Sequence, residues 1–318
     1  MQGKYRFWTG VLACLLAGLA ITSFLIPPVD GGEDWIPLLS GFADLAAFKD
    51  NLLFRGILGT AFNFLIALSL LVINTKSVNN VFYPNFSVAF FLLIILLNPG
   101  AVYFSCVHPA VLLFVWGQFC FIINQKFTSM FLLSCAALFY APLLWVLPLV
   151  LVISVTGAAD MLRVAIKSLG GILLPLLYVL CFRYMAYSDA AVFVQEYLQH
   201  SMAFSTPFHN AGFTSIFVVI CLAATALHSI SYMVQRLHKN SIITAHILKM
   251  ELMSVVLGTA LFFLFGGNAG VPANMLVALP LAILFSHYFT GNITAAPARA
   301  ELILLCCAAA VARLYHFI

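Results

Sequence analysis

Apolar runs of membrane-crossing length recur along this chain and constrain its fold more than any other feature. The first is Phe7–Leu25, and Leu52–Ile73, Phe86–Leu97, Val107–Ile123 and Phe127–Val155 follow. Beyond them come Leu169–Phe182, Phe213–Met233, Leu252–Phe265, Met275–Tyr288 and Leu302–Val311. A backbone surrounded by hydrocarbon must satisfy its N–H and C=O groups internally, so each run is expected to be helical. Composition closes off a soluble core: 64% of the 318 residues are hydrophobic and 8% are charged. Soluble domains are roughly half apolar and about a quarter charged. The expectation is an all-α, polytopic transmembrane bundle, one integral membrane domain over residues 1–318, with the lipid bilayer as its first partner.

Two runs do not read as simple crossings. Phe86–Leu97 is short and ends at Asn98-Pro99-Gly100, where Pro and Gly break a helix. Phe127–Val155 is longer than one crossing needs, roughly 43 Å at 1.5 Å per residue, and Pro142 and Pro148 interrupt it. It is expected to be two short helices joined near Tyr140-Ala141-Pro142, entering and leaving on the same side. The total is then eleven segments, or ten if the run stays whole. The first run follows Lys4 and Arg6 and resembles a signal peptide, but no small-x-small cleavage site closes it, so an uncleaved helix is expected.

Basic residues concentrate in cytoplasmic loops, and this sets the orientation. With the N-terminus cytoplasmic and the short pair accepted, ten of fourteen Lys and Arg fall inside, among them Lys76, Lys126, Arg163, Lys167 and Arg236. Seven of ten acids fall outside: Asp30, Glu33, Asp34, Asp44, Asp50, Asp189 and Glu196. Two outer segments, 27–51 and 186–209, mix apolar and polar positions at helical spacing and are expected to hold helices lying in the membrane interface. The expected location is a bacterial inner (cytoplasmic) membrane.

Several function classes drop out. A net charge of +4 without any Lys/Arg run gives nucleic acid no footing. The eight Cys are scattered through apolar runs without a C-x-x-C pair, so they read as small packing residues; neither a metal site nor a cofactor is expected. Walker, H-E-x-x-H and G-x-S-x-G patterns are missing, and no reaction is assigned. Read from the apolar runs, no carboxylate lies in mid-span, since Glu251 and Glu301 stand where their runs begin. That counts against a proton-coupled transporter.

The stretch from about Leu52 to Met185 resembles the domain of unknown function 6427 family of bacterial inner-membrane proteins. The resemblance rests on Asn98-Pro99 ending one helix, Ala137-Leu138-Phe139-Tyr140 in the short pair, and Gly171-Ile172-Leu173-Leu174-Pro175 opening the next. It implies a polytopic helical fold and carries over no functional residue. A weaker likeness is to the C-type glycosyltransferases of lipid-linked sugars. It rests on an acidic first outer loop, an interfacial helix there and short paired helices. It implies an outer-loop carboxylate as general base and basic residues on a donor phosphate.

Candidate chemistry gathers at the outer face. Asp44, Asp34 and Asp30 could act as the base on a polyprenyl-phosphate-linked substrate; Asp44 on the amphipathic segment is better placed than Asp30 and Asp34 on the flexible Gly31-Gly32 turn. Arg55 and Arg183 could hold its phosphate, each equally explained by snorkelling or by pairing with an acid. Arg55, Gly59 and Asn63 recur every four residues, a stripe suited to close helix contact, with Asn63 deep enough to act as packing glue. Two function readings follow: a role in cell-envelope or lipid-linked sugar assembly at the outer leaflet, or a non-catalytic membrane subunit packing against a partner membrane protein.

Overall fold

The computed structural model describes residues 21, 52–76, 84–96, 99–156, 160–206, 213–237, 242–266, 274–292 and 295–314. Apart from Ile21, the first apolar run and the acidic segment 27–51 lie outside them. Among the described residues there are eleven α-helices and no strand. They are α1 (Leu52–Lys76), α2 (Pro84–Leu96), α3 (Val107–Ile122), α4 (Lys126–Phe139), α5 (Val146–Thr156) and α6 (Met161–Tyr187). Then follow α7 (Ala190–Ser201), α8 (Phe213–Leu237), α9 (Ile242–Phe265), α10 (Asn274–Asn292) and α11 (Ala296–Leu314). The protein is an all-α helical bundle.

Four of these helices are long and apolar enough to cross a membrane, through Leu53–Ile73, Met161–Tyr187, Ile216–Gln235 and Asn274–Asn292. They are what a membrane protein requires. Others are shorter: α2 has 13 residues, about 20 Å at 1.5 Å per residue, which is less than a bilayer core. One-turn 3-10 helices at Pro99–Val102 and Ala141–Trp145 interrupt the runs where Pro prevents α-helix from continuing.

The run from Phe127 to Val155 folds as two helices, and its course can be followed against α6. Ser134 Oγ donates to the Ile172 carbonyl at 2.9 Å, and Ser154 Oγ lies 3.3 Å from Ser168 Oγ. Between these, Leu138 and Ala141 pack with Val179, and Leu144 and Leu176 border them. The chain therefore travels along α6 from about residue 170 to residue 179 and returns to Ser168. Gly171 permits the contact with α4, because an added Cβ would stand 2.6 Å from the Phe127 carbonyl oxygen and 2.9 Å from Met130 Cβ.

Of the four long apolar helices, α10 is the most buried. Phe90 of α2 stacks on Phe289 with centroids 5.0 Å apart and meets Phe285 edge-on at 5.7 Å. By contrast α6 carries its apolar residues outward, with Leu162, Ile166, Leu174, Leu177 and Tyr178 all more than half exposed. In water that surface would be untenable. Against lipid it carries no penalty.

Candidate functional site

Of the residues singled out in the sequence, Asp30, Asp34 and Asp44 lie outside the described residues, whereas Arg55 and Arg183 are placed. The stripe containing Arg55 docks on the segment that joins α2 to α3. Phe104 N–H donates to the Arg55 carbonyl at 3.0 Å, and Arg55 Nη2 donates to the Phe104 carbonyl at 3.4 Å. One turn on, Gly59 faces the backbone of Val102 and Phe104, and an added Cβ would overlap the Val102 carbonyl oxygen. One turn further, buried Asn63 donates from Nδ2 to the Ala101 carbonyl at 2.8 Å. The four-residue spacing thus places one cation, one gap and one amide against successive backbone groups.

His108 completes this arrangement. The Ser105 backbone N–H donates to His108 Nδ1 at 3.1 Å, so that nitrogen is the acceptor of the ring. Nε2 then carries the hydrogen and donates to the Ala101 carbonyl at 3.1 Å. One carbonyl oxygen thereby receives both Asn63 and His108. The chemistry is structural: a one-turn 3-10 helix whose Ala101 carbonyl is satisfied in a buried setting.

Arg183 is 6% exposed and is held at the corner between α6 and α7. Its Nη2 lies 2.7 Å from Asp189 Oδ2, and the guanidinium carbon stands 5.3 Å from the Tyr187 ring centroid and 5.1 Å from that of Phe193. Ser188, with φ of 57°, takes the left-handed conformation that ends α6 and turns the chain into α7. Tyr197 secures α7 to the short pair by donating to the Ala137 carbonyl at 3.0 Å. Burial holds its phenol above the ordinary range, so it stays a donor. On the other side of this corner, Leu180, Tyr184, Met185, Ala191 and Val194 line an open apolar groove of about 650 Å³.

Two polar sites were not legible in the sequence. Glu251 does begin an apolar stretch, but α9 starts nine residues earlier at Ile242, and the carboxylate turns into the bundle at 8% exposure. With Gln118 and Ser254 it borders an otherwise apolar cavity of about 30 Å³. Glu301 likewise lies within its helix rather than at its start, and its Oε1 is 2.5 Å from His228 Nδ1 on α8. Hydropathy alone sees where an apolar run begins, whereas the helical hydrogen-bond ladder carries on through polar residues. Among the described residues no three His, Cys, Asp or Glu side chains converge as a metal site would need.

No family model, curated protein or solved structure matches this chain.

Proposed function

We infer that this is a multi-pass protein of a bacterial inner membrane, N-terminus cytoplasmic, acting as a non-catalytic membrane subunit that packs against a partner membrane protein. The observation that carries this reading is the Arg183–Asp189 pair. The guanidinium that a phosphate would require already has a carboxylate at 2.7 Å and two aromatic rings beside it. Arg55 is likewise engaged with Phe104. Both cations are taken up by contacts within the bundle, and α6 carries exposed apolar residues such as Leu174, Leu177 and Tyr178. The cytoplasmic N-terminus rests on the distribution of Lys and Arg among the loops. Kinship with the domain of unknown function 6427 family belongs to the same proposal.

The experiment is site-specific photocrosslinking in native membranes from positions 174 and 178 on α6, with position 220 on α8 as comparison. The expected result is a protein adduct of discrete mass from α6 alone. Lipid adducts from all three positions would retire the subunit reading.

The groove between α6 and α7 supports a second reading, a role in envelope or lipid-linked sugar assembly. A groove of about 650 Å³ with apolar walls suits an isoprenoid chain. Native mass spectrometry from nanodiscs should then show a retained polyprenyl phosphate that Leu180→Arg releases. Equal retention by that variant would count against the groove.

A further inference from the structure

Glu251 stands in surroundings that offer its charge little. Its Oε2 is buried without a hydrogen-bond partner among the described residues, beside a cavity of about 30 Å³. That is room enough for a water molecule. Gln118 Nε2 donates to Ser254 Oγ at 2.6 Å, which fixes that hydroxyl oxygen on the cavity wall. Phe114, Leu133 and Val150 represent the rest of the lining. An ionised carboxylate is costly in such a place unless a positive charge neutralises it.

Among the described residues that line the cavity there is no cation. The lining residues from α3, α4 and α5 include no ionisable side chain. Lys126, at the start of α4, is turned to Phe121: its Nζ stands 3.4 Å from the ring centroid and donates to the Phe121 carbonyl. On α8, His228 pairs with Glu301, and Tyr232 meets Tyr288 of α10 edge-on. On α10, Leu276 meets Gly258 of α9. Counting antiparallel from that contact puts Ile283 level with Glu251, and His287 one turn further along.

We propose that Glu251 anchors a binding site for one small monovalent cation, a proton or a sodium ion, in the cavity between α3 and α9. The ligand neutralises the carboxylate where it stands. For sodium, Glu251 Oε2 and Ser254 Oγ are the oxygens on hand, and Gln118 holds the second in place. For a proton, the carboxyl becomes a donor to a single water in the cavity. Either way the site couples cation binding to the packing of α9 against α3, because Gln118 and Ser254 bridge those two helices.

Dicyclohexylcarbodiimide, which attacks protonated carboxyls in apolar surroundings, tests this on the full chain in liposomes. Labelling at Glu251 is read by peptide mass spectrometry, with Glu251→Gln confirming the assignment. The expected result is labelling at mildly acidic pH that slows several-fold at mildly alkaline pH. Further slowing by sodium chloride relative to choline chloride identifies sodium; an effect of pH alone identifies the proton. Labelling indifferent to both overturns the proposal, as does its absence at acidic pH. The melting temperature gives an independent readout: its dependence on pH or sodium should be reduced in Glu251→Gln. A dependence that persists unchanged in that variant also overturns the site.

Discussion

Asn63 reaches across 38 positions of sequence to give its Nδ2 hydrogen to the Ala101 carbonyl at 2.8 Å, an oxygen that also receives His108. Asn63→Leu removes one of the two donors and leaves the carbonyl satisfied by the other. The expected cost is about 0.5–2 kcal/mol, the range of a buried hydrogen bond in a helical bundle. Arg55→Lys keeps a cation within reach of the Phe104 carbonyl and should cost less. Thermal melts of both variants in detergent check this, and equal shifts would contradict the buried role of Asn63.

Neighbouring glycines on α6 should respond in opposite ways. Gly171→Ala drives a Cβ into the Phe127 carbonyl and Met130, and overpacking of that kind costs about 1–3 kcal/mol. At Gly170 the nearest atoms belong to the Phe127 ring at 3.7 Å, an ordinary contact. Gly170→Ala should therefore be neutral or gain up to about 1 kcal/mol from helix propensity. The same melts, run side by side, report both.

Removing one partner of the Arg183–Asp189 pair should hurt more than removing both. Asp189→Ala leaves a guanidinium buried among Tyr187 and Phe193 without its carboxylate. Loss of a partner in a fully buried pair costs about 3–5 kcal/mol. Because the Asp189 side chain is 32% exposed, about 1–3 kcal/mol is expected here. The double variant Arg183→Met, Asp189→Ala should recover part of that loss. A double-mutant cycle measures the coupling.

Orientation can be read by single-cysteine labelling with an impermeant reagent, in a background lacking the eight native Cys. Cysteines replacing Lys76, Arg163 and Arg236 should be protected from outside, and those replacing Asp34 and Glu196 should react. Labelling of position 163 from outside would contradict a short pair that enters and leaves on the same side.

The sequence by itself determined the class of object, because apolar runs of this length leave helices as the only backbone arrangement that satisfies its own hydrogen bonds in lipid. It also located the break near Tyr140, where Pro142 stops the ladder, and the stripe of Arg55, Gly59 and Asn63, since helical geometry turns a four-residue spacing into one face. What that face would meet was not legible. Its partner is the turn at Ala101–Phe104, and whether a side chain meets backbone, lipid or another side chain depends on non-local packing. The same holds for Arg183: its charge was plain, but only the reversal at Ser188 brings Asp189 against it. Glu251 shows the limit most clearly. Hydropathy marks the edge of an apolar run, whereas the direction a carboxylate faces is decided by the helices that close around it.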